Sequence, residues 1–247
     1  MGMKLNNLNY ENVIKEFNSD INCKINSINS IVCFDDSASK LLKIIGRVID
    51  NIDGEIKFSD EMETAVYIPT DPASFPWLNV EDNIKYVLEN STHLSNKIEN
   101  NILQIINDVG LNGYEKHFSD NNSLGFRFRI SIARALVFNS ILILIDNSFC
   151  VMDDETKFEL FDMIKSISKK YDVSFLINTK NISDAIYLSE NIYLMKEGKE
   201  TFLDSINLLE EWKELGSEDR RSRQQKIVEK IINIFTKNNL DNIQLKL

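Results

Sequence analysis

Five consecutive aliphatic residues, Ile141-Leu142-Ile143-Leu144-Ile145, end abruptly on Asp146 and Asn147. A run this short, apolar at every position rather than alternating, reads as a buried strand. Other segments that read as strands are Ser30-Ile31-Val32-Cys33-Phe34, Glu55-Ile56-Lys57-Phe58, Thr64-Ala65-Val66-Tyr67-Ile68, Val173 to Ile177 and Asn191 to Met195. Between them lie segments of helical periodicity. A polar turn over 35–39 leads into a helix that opens at Lys40-Leu41-Leu42-Lys43-Ile44-Ile45. Residues 81–108 are mostly helical, with Ile84, Val87, Leu88, Ile102, Ile105 and Ile106 on apolar faces. Phe128 to Val137 and Lys157 to Ile167 are helical, and Ile227, Ile231 and Ile234 sit at helical spacing in the tail. Strands that alternate with helices predict an α/β fold. No repeat or linker divides the 247 residues, a length that suits one large domain.

Bulk properties exclude several functions. The net charge is −10, and an acidic chain repels phosphate backbones and anionic lipid, so no nucleic-acid partner is expected. No apolar stretch is long enough to span a bilayer, and the first residues lack a signal core, so membrane association has to run through a partner. Cys23, Cys33 and Cys150 have no metal-ligand spacing and read as reduced thiols; His93 and His117 read as surface or helix-end residues. There are 8 glycines, less than half of the average usage of roughly 7%. Backbone that wraps a phosphate is usually rich in glycine. The shortage predicts that this chain has no such cradle.

Three segments carry a family likeness: Phe75-Pro76-Trp77-Leu78-Asn79-Val80-Glu81-Asp82-Asn83-Ile84, Ile130-Ser131-Ile132-Ala133-Arg134-Ala135-Leu136, and Ile141 to Phe149, with Met152-Asp153 following. In order and spacing the chain resembles the ATP-binding subunits of ATP-binding-cassette (ABC) importers, the nitrate/sulfonate/taurine group above all, over about residues 5 to 240. The resemblance implies an ABC-type nucleotide-binding domain over 1–247, with a P-loop NTPase-like core sheet, a helical subdomain over about 78–135 and a helical tail over about 217–247.

The resemblance also assigns roles, and the residues depart from them. The family's phosphate loop, G-x-x-x-x-G-K-[ST], surrounds a phosphate with backbone N–H groups, a lysine and a hydroxyl. Here the corresponding turn is Asp35-Asp36-Ser37-Ala38-Ser39-Lys40, with no glycine and two carboxylates. Two placements are open. One puts Lys40 at the family lysine; the other puts Ala38 at the lysine and Ser39 at the hydroxyl. The glutamine that senses Mg²⁺ falls on Thr70. Asp146 is the vestige of the Mg²⁺ carboxylate. The general-base glutamate falls on Asn147, whose amide takes no proton at neutral pH. The switch histidine falls on Lys180. The signature loop, which reaches a nucleotide held by the other subunit of a dimer, reads Asn122-Ser123-Leu124-Gly125-Phe126. It retains Ser123 and Gly125 at a helix start whose dipole favours anions. Tyr10 is a candidate adenine-stacking ring. Phe75, Pro76 and Trp77 fall where a permease helix docks, and an aromatic there is a suitable helix-in-groove anchor.

The departures cluster in the site that the chain would hold itself, while the retained features face outward. The expectation is a catalytically degenerate subunit, no enzyme on its own, that holds no nucleotide or metal alone. It shares an ATP and Mg²⁺ site with a second, active ABC ATPase subunit, docks on a transmembrane permease, and lies on the cytoplasmic face of the cell membrane without inserting. Two alternatives stand beside it: a slow or altered ATPase that energises uptake of a small anion such as a sulfonate or nitrate, and a regulatory or scaffold protein outside transport.

Overall fold

The computed structural model describes residues 3–11, 13–50, 52–58, 65–89, 101–118, 123–215 and 219–238. In chain order these form β1 (Met3–Tyr10), β2 (Ile14–Ile21), β3 (Ile28–Val32), α1 (Ser37–Ile45), β4 (Asp53–Phe58), β5 (Ala65–Ile68), α2 (Val80–Glu89), α3 (Ile102–Asp108), α4 (Leu124–Val137), β6 (Leu142–Asp146), α5 (Asp154–Tyr171), β7 (Ser174–Thr179), α6 (Ile182–Leu188), β8 (Asn191–Leu194), β9 (Asp204–Asn207), α7 (Leu208–Glu214) and α8 (Arg220–Lys237). Six strands make the core sheet in the order β5-β6-β7-β3-β8-β9. All its pairings are parallel except β8 with β9. A smaller antiparallel sheet has the order β2-β1-β4.

The all-apolar strand that dominates the sequence is β6, buried at every position. Successive side chains of a strand point to opposite faces, so its residues divide between two cores. Ile143 and Ile145, with Phe175 and Ile177 of β7, pack against Ile84, Phe128, Ile132, Leu160 and Phe161 of the helices α2, α4 and α5. Leu142 and Leu144, with Leu176, pack against Leu41, Leu42 and Ile45 of α1 and against Leu5, Leu8 and Phe17 of the small sheet. A third cluster joins Ile182, Ile186, Ile227, Ile231 and Phe235 of α6 and α8 to Ile192 and Leu194 of β8. The α/β architecture expected from the alternation of elements is the one observed.

Several boundaries differ from the sequence reading. The first core strand begins at Ile28 and ends at Val32, two residues before Phe34. Helix α1 starts at Ser37, three residues ahead of Lys40, because Ser37 and Ala38 are buried and the Ser37 N–H is held by the Asp35 carboxylate. Helix α4 starts at Leu124, four residues ahead of Phe128, capped by the Ser123 hydroxyl. The helical stretch expected over 81–108 contains α2 and α3. Strands β1, β2 and β9 and helices α6 and α7 went unread. In β1 and β2 the apolar residues are spaced by bulges at Leu5/Leu8 and Leu8/Tyr10, which break the alternation that marks a strand. Thr64, residues 90–100 with His93, Asn122, and the tail beyond 238 lie outside the described residues. No helix among the described residues is long and apolar enough to cross a membrane.

Candidate functional site

Parallel strands place their carboxyl ends side by side, where ligands of open α/β sheets are usually found. Here β3 runs into the turn 33–36, β5 into Pro69 and Thr70, β6 ends on Asp146, and β7 leads to Asn178, Thr179 and Lys180. Most of the sequence-predicted residues meet at this edge.

The turn folds around its own carboxylate. Asp35 Oδ1 accepts from the Ser37 N–H at 2.9 Å, from the Ser37 hydroxyl and from the Cys33 thiol at 3.1 Å. Asp35 Oδ2 accepts from the Glu197 N–H at 3.0 Å, which ties the turn to the segment after β8. Burial raises the Asp35 pKa, but hydrogen bonds from the Ser37 hydroxyl and the Glu197 and Ser37 amides outweigh it, and the net shift is downward. Burial, helped by the Asp35 charge, pushes the Cys33 thiol up to about 12, so it remains a protonated donor.

Asp146 is equally occupied. Only 3% of it is exposed. Its Oδ2 accepts from Ser39 Oγ at 2.5 Å and Tyr67 Oη at 2.7 Å, and its Oδ1 from Asn178 Nδ2 at 2.8 Å. The Thr70 hydroxyl donates to the Asp146 carbonyl at 2.9 Å. Burial first, then the Asp146 hydrogen bond and charge, drive the Tyr67 pKa up, so the phenol stays a donor. Of the two placements of the turn, the one with Ser39 at the hydroxyl position agrees with Ser39 meeting Asp146. Lys40 points elsewhere: its Nζ pairs with Glu11 Oε2 at 2.8 Å and lies 5.8 Å from the Tyr10 ring centre, so Tyr10 also has an intramolecular neighbour. Asn147 adopts a left-handed backbone (φ 50°), which asparagine tolerates, and its N–H donates to the Asn178 carbonyl at 2.9 Å. Exposed Lys180 lies 3.9 Å from Asp36, too open a pair to contribute much.

The signature residues make their contacts elsewhere. Ser123 Oγ accepts from the Phe126 N–H at 3.3 Å as the cap of α4. A Cβ added at Gly125 would stand 2.6 Å from Thr156 Cγ2 of α5, so close packing alone already demands glycine. Asp153 holds that same threonine, accepting its N–H at 2.9 Å as the cap of α5.

Phe75, Pro76 and Trp77 form an exposed corner. Trp77 is 69% exposed and therefore not core. Phe75 stands 5.5 Å from Trp77 and 4.6 Å from Tyr86, ring centre to ring centre. Asn83, fully buried, braces the corner from below. Its Oδ1 accepts the Phe75 N–H at 2.8 Å, and its Nδ2 reaches the carbonyls of Phe75, Leu78 and Asn79 at 3.0, 2.9 and 3.0 Å. Arg127 anchors the preceding loop on the Pro72 carbonyl at 3.0 Å, and Arg134 donates to the Ala73 carbonyl. Beside this corner a cavity of about 450 Å³ opens between β5, α2 and α4, lined in part by Val66, Pro69, Val87, Ser131, Arg134 and Phe138.

Sequence reasoning missed Tyr67, Asn83, Asn178 and Glu197. Tyr67 and Asn178 sit at the ends of strands that were recognised, the usual place for site residues, and that position was the available signal. Glu197 contributes only its backbone amide, which no residue type announces.

A family model described as ABC transporter matches residues 38–149. Over 214 residues the chain is 29% identical to the spermidine/putrescine import ATP-binding protein PotA of Mycoplasma mycoides subsp. mycoides SC, spanning 79% of this chain and 60% of that one. Over 169 residues it is 32% identical to the aliphatic sulfonates import ATP-binding protein SsuB of Bacillus cereus, spanning 65% and 66%. The chain thus covers about three fifths to two thirds of the length of these relatives. In fold it is similar to cbiO1 of Clostridium perfringens, described as part of the ABC transporter complex cbiONQ, with a TM-score of 0.73, 17% identity, and 96% of this chain and 95% of that one covered. The ordered segments from the first core strand to Asp146, the sheet with its helical layer, and these likenesses agree: the chain belongs to the ATP-binding domain family of ABC transporters.

Proposed function

We propose that this chain is a catalytically degenerate ATP-binding-cassette subunit of an importer, one that pairs with an active ATPase subunit and docks on a permease. Members of the family bind ATP, usually with Mg²⁺. The residues at this chain's own strand ends do not fit that ligand. The observation that carries the reading is the state of Asp146: its two oxygens already accept from Ser39, Tyr67 and Asn178, so a metal-bound water has to compete with three donors of the chain itself. Around it, Asn147 replaces a base, which by itself removes roughly 10²–10⁴ in rate. Lys40 is paired outward with Glu11, and no glycine opens the turn.

The outward-facing parts support the partnering half of the reading. The Phe75–Trp77 corner is exposed, aromatic and rigidly braced, as suits a helix-in-groove contact with a permease. Ser123 and Gly125 stand at the start of α4 and would complete ATP and Mg²⁺ binding on the second subunit, although capping and packing already account for both within the chain. The helical subdomain of about 78–135 then carries Ser123 and Gly125, the Phe75–Trp77 corner lies just ahead of it, and the protein lies on the cytoplasmic face of the membrane through the permease. The two curated relatives are named for a polyamine and for sulfonates, cargoes of opposite charge, so the cargo belongs to the permease and not to this chain.

Titrating Mg·ATP into the purified chain tests the reading. No heat of binding is expected, and hydrolysis should equal that of an Asp146→Ala control. Micromolar binding, or turnover that Asp146→Ala abolishes, refutes it. Co-purification with a permease separates this role from a scaffold outside transport.

A further inference from the structure

The donors gathered before α1 are those that hold an anion: the first N–H of a nine-residue helix, a serine hydroxyl on that residue, a protonated thiol, and a second backbone amide from a distant segment. In this chain all four converge on one side chain. Asp35 comes from the loop itself, lies between β3 and α1, and reaches the Glu197 amide 162 residues away in sequence. Among the described residues no cation meets it; Lys180 pairs with Asp36 and Lys40 with Glu11. Neutral donors alone balance its charge, as they do for an oxyanion in a backbone nest.

We propose that Asp35 is a built-in anion, filling from within the chain the oxyanion position at the start of α1 and holding that end of the molecule in a single conformation without nucleotide. The inference rests on the inactive-partner reading and deepens it. A subunit whose helix start is permanently charged keeps its turn, and the segment after β8 joined to it, indifferent to ATP. Nucleotide-driven movement in the pair then originates in the partner subunit alone.

The test uses the full chain in three forms: wild type, Asp35→Ala and Asp35→Asn. Thermal unfolding is followed with and without inorganic phosphate, against chloride at matched ionic strength. Asp35→Ala unmasks the donors, so its melting temperature drops and phosphate restores several degrees of it, by mass action on the folded state. Asp35→Asn keeps one acceptor oxygen and the shape but no charge; it melts between the other two and also responds to phosphate. Wild type does not respond. If Asp35→Ala fails to fold, the Asp35→Asn comparison decides alone. Variants that phosphate leaves unmoved, or a wild type that phosphate stabilises equally, overturn the proposal. A separate arm adds Mg·ATP to wild type: a shift there sinks the inactive-partner reading itself, whereas missing phosphate rescue with an unshifted wild type sinks only the role of Asp35.

Discussion

Replacing Asn83 by alanine should loosen the Phe75–Trp77 corner while leaving the core sheet intact. The side chain is fully buried: its Oδ1 accepts from Phe75 N–H, and the two hydrogens of its Nδ2 are shared among the carbonyls of Phe75, Leu78 and Asn79. A net ~0.5–1.5 kcal/mol for each bond, offset by the amide's own desolvation, places the loss at about 2–4 kcal/mol. For a domain of this size that is a fall of about 4–16 °C in melting temperature. Urea unfolding by far-ultraviolet circular dichroism measures the loss. Trp77 fluorescence in a Trp212→Phe background reports the corner, since the chain has 2 tryptophans. Trp77 should become more mobile well before global unfolding. Asn83→Asp has nearly the same volume and keeps an acceptor for the Phe75 N–H, but it sets a buried carboxylate against three carbonyls. It should cost at least as much as alanine. A loss below about 1 kcal/mol for Asn83→Ala, the range of an ordinary surface change, or a harmless Asn83→Asp, refutes the bracing role.

Two other outcomes follow from the same geometry. Gly125→Ala forces its Cβ toward Thr156 Cγ2 and should destabilise by about 1–3 kcal/mol, with Thr156→Ser restoring most of the loss; if thermal unfolding shows no recovery in the double variant, the clash is not the cause. The depressed pKa of Asp35 makes its contribution fully present above the unfolded carboxylate value, about 3.9, and lost as pH falls through the lower folded value. The stability gap between wild type and Asp35→Asn should therefore stay level from neutral pH down to about 4 and close below it. Asp36, Glu197 and Lys180 nearby are common to both proteins and cancel in the comparison, and a gap that closes near neutral pH contradicts the assignment.

Much of the fold was legible because burial writes itself into residue type. The unbroken run Ile141 to Ile145 could hardly be anything but a central strand, and Asp146 at its end marked the sheet edge where the site lies. The missing glycines between Phe34 and Lys40 were also plain. Less legible was the start of α1, where Ser37 and Ala38 looked like turn residues but are buried, with the Ser37 N–H and hydroxyl donating to Asp35. Strands β1 and β2 were hidden by asparagines and bulges, since they are held by backbone pairing with each other and with β4, and backbone pairing leaves no side-chain pattern.

The amino-acid sequence by itself determined most of the core strands and helices, the family likeness, and which residues stand at the strand ends, with no glycine between Phe34 and Lys40 and Asn147 after Asp146, because these depend on which side chains exist. Only the tertiary structure decided what the surviving polar groups do. Whether Ser39 or Lys40 faces Asp146, which donors close on Asp35, and whether Gly125 packs on a neighbour in this chain are matters of distance. A hydrogen bond or a steric contact acts over a few ångströms, and residues 107 positions apart, as Ser39 and Asp146 are, come within that range only when the sheet closes.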